Sequence, residues 1–176
     1  LALLFLLPVF VPIVIILRFT AEGEVFYFQQ RIGINNSKFW IWKFATMLKD
    51  SINMGTGSIT LQNDFRVTRI GKFLRKTSMD EIPQFLNVLK MEMSIVGPRP
   101  IVKKEIIKYG SSMKNVLSIK PGITGLWQVS GRNNLSYKRR VNLDLVYVRN
   151  INFLLDLRII IRTFGVIFFP HDRGAY

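Results

Sequence analysis

The chain opens with a long apolar run. Residues 1–17 carry no charge, and as a straight helix they would reach roughly 25 Å, slightly short of a hydrocarbon core of about 30 Å. Pro8 and Pro12 lie inside the run, where each removes a backbone donor and crowds the carbonyl four residues back. We therefore predict a helix with a kink near Leu7 and Pro8 that enters and leaves a membrane by one face. A simple transmembrane span and a signal peptide stay open as alternatives.

Two short runs rich in aromatic and β-branched residues follow. Residues 24–30 read Glu-Val-Phe-Tyr-Phe-Gln-Gln and residues 39–44 read Phe-Trp-Ile-Trp-Lys-Phe, with a turn-prone Gly-Ile-Asn-Asn-Ser stretch at 33–37. Runs of this composition on either side of a turn are typical of paired strands. The pattern predicts a β-hairpin near the membrane surface.

Helical spacing dominates the rest of the chain. Ile82, Phe85, Leu86 and Leu89 recur at i, i+3, i+4 and i+7, which predicts one buried face of a helix that opens near Ser78. Further helices are predicted over residues 101–109, 142–148 and 153–169. The fold class is therefore α+β and mostly helical, with a re-entrant membrane helix, a small β-hairpin and amphipathic interfacial helices.

The helix predicted over residues 153–169 has two interpretations. Arg158 and Arg162 stand four residues apart among Leu, Ile and Phe, so the segment can lie in a membrane interface. The alternative is an ordinary buried helix whose two arginines extend their charged ends to water.

The charge and composition of the chain restrict the classes of partner that it can bind. Lysine and arginine total 25 against 11 acidic residues, a formal charge of +14, which favours nucleic acid, anionic lipid or a phosphorylated substrate. Hydrophobic residues make up 49% of the chain and cluster at its ends, so we predict a membrane surface and no nucleic acid. Cysteine is absent and His171 is the single histidine, which argues against thiolate zinc sites and Ser-His-Asp catalysis. One domain whose chemistry uses carboxylates, arginines or lysines is expected.

Asp80 and Glu81 form the single adjacent acidic pair of the chain. A carboxylate at a helix start, beside backbone N–H groups and near arginines, is suited to phosphate chemistry. The other interpretation is a capping box, with Ser78 as the N-cap and Glu81 at the N3 position. Pro83 lies deep for a first-turn proline, which predicts a distorted first turn.

The stretch around this pair resembles the bacterial sugar transferases that are monotopic phosphoglycosyl transferases. In that family a catalytic Asp-Glu dyad is followed by a helix and a Pro-Arg-Pro turn, as residues 76–90 are followed here by Gly97-Pro98-Arg99-Pro100. The resemblance covers nearly the whole chain. It continues through Arg31-Ile-Gly33, Lys43-Phe44, Asp64-Phe-Arg66-Val-Thr-Arg69-Ile-Gly71, Lys120-Pro-Gly-Ile-Thr-Gly-Leu-Trp-Gln128, Gly131-Arg132-Asn133 and Asp144-Leu-Val-Tyr147-Val.

The resemblance implies a two-step reaction at Asp80. This carboxylate would attack the β-phosphorus of a UDP-sugar, expel UMP and hold the sugar phosphate as a phosphoryl-aspartate, from which undecaprenyl phosphate takes it. Glu81 would assist as a base, as an orienting group or as part of the metal environment. Attack by a carboxylate on a diphosphate needs charge neutralisation, so we expect Mg²⁺ bound by Asp80 and the phosphates. The product would be the first lipid-linked sugar of a surface glycan.

The resemblance also implies residues that bind the nucleotide and its phosphates. Arg99, between two prolines, has a restricted backbone and can present its guanidinium to a phosphate at a fixed angle. Arg132 follows Gln128 in what the family uses as a mobile loop near the nucleotide. Lys43, Arg66 and Arg69 match basic positions of the family, although each can instead contact lipid head groups or an acidic neighbour such as Asp64. Two further acids, Asp144 and Asp156, are assigned to structural ion pairs.

The membrane element is implied by the same resemblance. Pro8 aligns with the proline that breaks the family's re-entrant helix, and Leu7 replaces the serine before it. Residues 1–19 would form this helix, with its first half missing because the chain opens inside the apolar run. Residues 20–176 would form a catalytic domain on the cytoplasmic face of the bacterial inner membrane.

A non-enzymatic function stays open on composition alone. A basic, amphipathic adaptor that binds anionic lipids at a membrane surface would show the same charge and hydropathy, with the acidic pair as a helix cap. The sequence leaves open which sugar is transferred and whether the chain forms a homo-oligomer.

Overall fold

The computed structural model describes residues 2–20, 22–55, 61 and 63–168. These residues form two compact units, one within 1–28 and 42–83 and the other within 29–41 and 84–168. Packing units and a membrane boundary are different properties, so the predicted division into residues 1–19 and 20–176 stays a prediction.

The apolar run forms the first helix, α1 (Ala2–Thr20). It continues through Pro8 and Pro12, so the predicted kink does not end the helix. In the part of the chain that the structure describes, no helix combines the length and the hydropathy needed to cross a membrane.

The predicted hairpin is confirmed. Strands β1 (Phe26–Ile32) and β2 (Lys38–Phe44) form a two-stranded sheet, joined by a 3-10 turn at Ile34–Asn36. Asn35 and Asn36 have φ angles of 52° and 63°, a left-handed conformation that asparagine tolerates better than most residues. The turn therefore follows from the residue types that predicted it.

One apolar core holds the first unit together. Ile13 and Leu17 of α1 pack with Phe44 of β2 and Leu74 of the second helix, α2 (Arg69–Lys76). The partly buried side chains around them come from α1, the start of β1, α2 and the segment after α2: Phe10, Val14, Val25, Phe26, Ile70, Met79 and Ile82.

Helix α2 lies unusually close to the chain that follows β2. A Cβ at Gly71 would lie 2.0 Å from the carbonyl oxygen of Thr46, so no larger residue fits. Arg75 Nε donates to Thr46 Oγ1 at 2.9 Å, and Thr68 caps the helix by accepting from the Gly71 N–H at 2.9 Å. These contacts fix the position of α2 within the first unit.

The second unit contains the remaining helices and a two-stranded parallel sheet. Strands β3 (Ser94–Val96) and β4 (Gly122–Thr124) pair with Ser94 opposite Gly122 and Val96 opposite Thr124. A mostly helical chain with small sheets is thus confirmed. The helices are α3 (Gln84–Leu89), α4 (Ile106–Tyr109), α5 (Met113–Val116), α6 (Leu126–Val129), α7 (Tyr137–Arg149) and α8 (Phe153–Phe168).

The apolar face predicted for α3 is only partly buried. Ile82, just before α3, packs against the core of the first unit, and Phe85 and Leu86 are half-buried. Leu89 is 65% exposed, and the buried residues of this helix are Gln84 and Asn87. Asn87 Nδ2 donates to the Trp40 carbonyl and to Glu92 Oε2, both at 2.7 Å. Burying this amide is favourable because both of its N–H groups are satisfied.

Two buried tyrosines hold the acids predicted to form structural ion pairs. Tyr147 Oη donates to Asp156 Oδ1 at 2.7 Å, and Tyr109 Oη donates to Asp144 Oδ2 at 3.0 Å. Among the described residues neither carboxylate has a cationic partner. The roles are structural, as expected, but the partners are hydroxyl groups and not cations.

Asp144 is fully buried, and burial raises the pKa of its carboxyl group to about 7 although the Tyr109 hydrogen bond lowers it. Because the unfolded chain has a lower pKa, the folded protein binds more protons between about pH 4 and pH 7, and stability falls as the pH rises through this range. We expect ionisation of this buried carboxyl group to lower the free energy of unfolding by roughly 4 kcal/mol above pH 7.

Asp144→Asn should remove that cost, because a neutral amide can still accept from Tyr109. The measurement is the melting temperature at pH 5 and pH 8 for wild type and variant. The melting temperature of Asp144→Asn should fall less between pH 5 and pH 8 than that of the wild type. An equal fall in both proteins would show that Asp144 does not titrate in this range.

Candidate active site

Asp80 and Glu81 lie in a 3-10 turn, Met79–Glu81, and not in the first turn of an α-helix. Ser78 has a left-handed backbone with φ of 56°, and its side chain makes no capping hydrogen bond. The capping-box prediction is therefore wrong. Pro83 has no N–H to donate to the Met79 carbonyl, which prevents an α-helical bond here, and the distorted turn predicted from Pro83 is confirmed.

Apolar packing holds this turn in place. Met79 and Ile82, on either side of the acidic pair, pack against the core formed by α1, β2 and α2. Asp80 and Glu81 between them are half-buried. The two anchors leave the carboxylates at the edge of the core, partly accessible to a substrate.

The structure brings Lys43 to the acidic pair. Lys43 Nζ donates to Glu81 Oε1 at 2.6 Å, and the two side chains are 16% and 18% exposed. Lys43 precedes Phe44, a core residue of β2, so the strand sets the position of the ammonium group. A partly desolvated ion pair of this kind fixes the direction of the Glu81 carboxylate.

Arg66 is buried in a second ion pair. Its Nη2 and Nε donate to the two oxygens of Asp64 at 2.6 and 2.8 Å, and its Nη1 donates to the Ser51 and Met54 carbonyls, both at 2.8 Å. The hydrogen bonds that Arg66 donates to Asp64 hold the pKa of the Asp64 carboxyl well below its usual range. Arg66 is only 1% exposed. Its burial therefore favours the alternative, an ion pair with an acidic neighbour, over the binding of a substrate phosphate. Arg69, by contrast, begins α2 with an exposed side chain.

Arg99 lies in the second unit, between two buried prolines and with a half-buried side chain. The backbone before it is held between the strands, because Gly97 N–H donates to the Thr124 carbonyl and Gly122 N–H donates to the Pro98 carbonyl, both at 2.9 Å. A Cβ at Gly122 would lie 2.1 Å from the Gly97 nitrogen, so this close approach requires glycine. The restricted backbone predicted for Arg99 is present.

Gln128 and Arg132 also belong to the second unit. Gln128 Nε2 donates to the Ile123 carbonyl at 3.0 Å, while its buried Oε1 accepts no hydrogen bond from the residues that the structure describes. Arg132 has a φ of 50° and follows Gly131, whose φ is 143°. Left-handed backbone at two successive positions gives this turn an unusual shape.

No role was predicted for Arg31 from the sequence, although it belongs to the Arg31-Ile-Gly33 motif. Its guanidinium contacts the Pro100 carbonyl at 2.9 Å, directly after Arg99. A contact between residues 69 positions apart has no local sequence signal.

No group of three or more carboxylate or imidazole side chains that could hold a metal ion occurs among the residues described. Asp80 and Glu81 offer two adjacent carboxylates. Mg²⁺ is commonly held by one or two carboxylates together with substrate phosphates and water, so the residues present fit this ion.

Comparison with known proteins identifies the family. Residues 1–170 match the model of the bacterial sugar transferases. The chain therefore belongs to the bacterial sugar transferase family, and the prediction of a transferase enzyme is confirmed.

Several relatives have names that describe their function. Exopolysaccharide production protein ExoY of Rhizobium meliloti is 41% identical over 99% of this chain and 83% of its own length. The undecaprenyl-phosphate galactose phosphotransferase of Salmonella typhimurium is 40% identical over 88% of this chain and 35% of its own length. The UDP-glucose:undecaprenyl-phosphate glucose-1-phosphate transferase of Klebsiella pneumoniae is 37% identical over 93% of this chain and 37% of its own length.

The burial of Arg66 generates a stability prediction. Arg66→Met would leave the buried Asp64 without its cation and two backbone carbonyls without donors, so we expect the melting temperature to fall by roughly 5 °C or more. Arg69→Met removes the same charge from an exposed position and should melt close to wild type. Equal melting temperatures for the two variants would contradict a structural role for Arg66.

Proposed function

We propose that this chain transfers a sugar 1-phosphate from a UDP-sugar to undecaprenyl phosphate, releases UMP and so starts a lipid-linked surface glycan. Family membership and the names of the Salmonella typhimurium and Klebsiella pneumoniae relatives support a phosphoglycosyl transferase. The observation that carries the proposal is the anchored Asp80–Glu81 turn with Lys43 ion-paired to Glu81.

Asp80 acts as the nucleophile in the first half of the reaction. A carboxylate oxygen forms a bond to the β-phosphorus of the donor, the bond from that phosphorus to the bridging oxygen breaks, and UMP leaves with the electron pair. In the second half, a phosphate oxygen of undecaprenyl phosphate attacks the same phosphorus. The phosphorus–Asp80 bond then breaks, which regenerates the carboxylate and gives a sugar-linked diphosphate.

Lys43 and Glu81 support this chemistry from one side of the turn. Two adjacent carboxylates repel each other and an incoming diphosphate, and the Lys43 ammonium 2.6 Å from Glu81 offsets part of that repulsion. With its direction set by Lys43, Glu81 can orient the acceptor phosphate or act as a base.

Mg²⁺ is the proposed cofactor, and Asp80 would hold it. When bound, the ion neutralises charge on the donor phosphates. Removal of the ion by chelation should abolish nucleotide release. Undiminished release would contradict a requirement for Mg²⁺.

Donor binding is assigned to Arg99, Gln128 and Arg132. The fixed backbone of Arg99 allows its guanidinium to meet a phosphate with little loss of conformational freedom on binding. Arg69, which is exposed on α2, stays a candidate phosphate ligand.

Asp80→Asn should reduce UMP release by about a thousandfold or more, because an amide is not a nucleophile at phosphorus. The assay supplies undecaprenyl phosphate and a panel of UDP-sugars to membranes carrying the protein, and identifies the released nucleotide and the sugar that supports turnover. Lys38→Met, on an exposed position of β2, is the control for a surface substitution. Folding is measured on the same preparations.

Three outcomes decide the proposal. UMP from wild type and none from Asp80→Asn supports phosphosugar transfer. UDP from the wild type would mean glycosyl transfer, and normal UMP release by a folded Asp80→Asn would refute the nucleophile.

We further propose that the chain acts at the bacterial inner membrane, with residues 1–19 as a re-entrant helix and the catalytic part on the cytoplasmic face. Helix α8 supports membrane contact, since Ile159 is its one buried residue. Large apolar side chains that are 41–71% exposed form a stripe along it: Leu154, Leu157, Ile161, Phe164 and Phe168. Such a stripe beside Arg158 and Arg162 suits an interfacial helix better than an ordinary buried one.

Leu157→Glu with Ile161→Glu should weaken binding to vesicles that contain anionic phospholipid by about tenfold or more, because each change removes apolar contact with lipid and adds a negative charge. Val146→Glu with Ile151→Glu is the matched control, since these exposed side chains lie outside α8. Vesicle co-sedimentation gives the affinities. An equal loss in both double variants would show that charge and not the α8 stripe determines binding.

A further inference from the structure

Arg31 binds the chain next to Arg99, and both residues belong to the second unit. Arg31 lies near the end of β1, where its Nη1 donates to the Pro100 carbonyl at 2.9 Å and its Nη2 donates to Gln29 Oε1. The next residue, Ile32, donates its N–H to the Ile101 carbonyl at 2.9 Å. Two consecutive residues of β1 therefore hold the backbone that follows Arg99.

The backbone on the other side of Arg99 is held by the parallel strands. Gly97 donates to Thr124, and Pro98 accepts from Gly122, as described above. Together these hydrogen bonds fix the chain before and after Arg99, and Pro98 and Pro100 restrict their own φ angles. The Arg99 side chain is thus presented from a backbone fixed at both ends.

Among these bonds, the one from Arg31 is made by a side chain, whereas the other three join backbone groups. A substitution at Arg31 can therefore remove one constraint on the turn and leave the strand pairing in place. The bond is part-buried and its donor is charged, which makes it stronger than a neutral hydrogen bond.

The guanidinium of Arg31 also bridges two partners. One nitrogen contacts Gln29 and the other contacts Pro100, so the side chain has a defined direction. Lysine has a single ammonium on a flexible stem and cannot reproduce this fork.

We propose that Arg31 is a positioning residue for donor binding, which sets the Pro98-Arg99-Pro100 turn so that Arg99 reaches a phosphate of the UDP-sugar. Arg31 itself does not touch the donor. The inference rests on the proposed function in one respect, the assignment of Arg99 as a ligand of the donor phosphates.

The test is a double-mutant cycle in the UMP-release assay with Arg31→Met, Arg99→Met and the variant that carries both. We expect Arg31→Met to raise KM for the UDP-sugar about tenfold with kcat changed less than about threefold, the pattern of lost binding common to ground and transition states. Arg31→Lys should behave like Arg31→Met. In the Arg99→Met background, Arg31→Met should raise KM by less than about twofold.

Two further measurements separate positioning from structure and from charge. Arg139→Met removes one positive charge from an exposed position of α7 and should leave KM unchanged. Amide hydrogen exchange in peptides that cover residues 96–102 should be faster in Arg31→Met than in wild type.

Each contrary result identifies a different error. Additive KM effects of the two variants would mean that Arg31 acts independently of Arg99, and a loss of kcat at unchanged KM would mean a structural role. Unchanged exchange in residues 96–102 would mean that Arg31 does not hold the turn. An active wild type with unaltered KM in Arg31→Met refutes this inference alone, whereas a folded wild type that releases no nucleotide refutes the proposed function and this inference together.

Discussion

The position of the acidic pair depends on the packing of Met79 and Ile82 into the apolar core of the first unit. No helix cap holds the turn, and Ser78 adopts a left-handed backbone that such a cap does not use. Ile13 and Leu17 of α1 form part of the same core. The helix proposed to enter the membrane therefore also supports the turn that carries the proposed nucleophile.

The large excess of positive charge serves several purposes. Arg66 is buried and joins Asp64 to the chain around residues 51–54, so its charge stabilises structure. Lys43 neutralises part of the negative charge of the acidic pair through its ion pair with Glu81. Net charge thus indicates an affinity for anions, but the burial of each side chain decides whether it can meet a substrate phosphate.

Much of the fold could be predicted because its signals are local. The hairpin follows from β-branched and aromatic runs around an Asn-Asn turn, and α8 follows from its apolar spacing. The buried face of α3 could not be predicted. Asn87 is buried there because its amide donates to the carbonyl of Trp40, 47 positions earlier. The capping-box prediction was wrong for a related reason. The Ser-x-x-Glu pattern on which it rests takes no account of the N–H that Pro83 lacks, or of the core that holds Met79 and Ile82.

By itself the sequence determined the family, the acidic pair and the β-hairpin, because motifs and periodicity are properties of neighbouring residues. Only the tertiary structure decided that Lys43 pairs with Glu81, 38 positions away, and that Arg31 contacts Pro100, 69 positions away. Such contacts depend on which surfaces pack together to bury apolar area. That choice is made by the whole chain, so no local pattern records it.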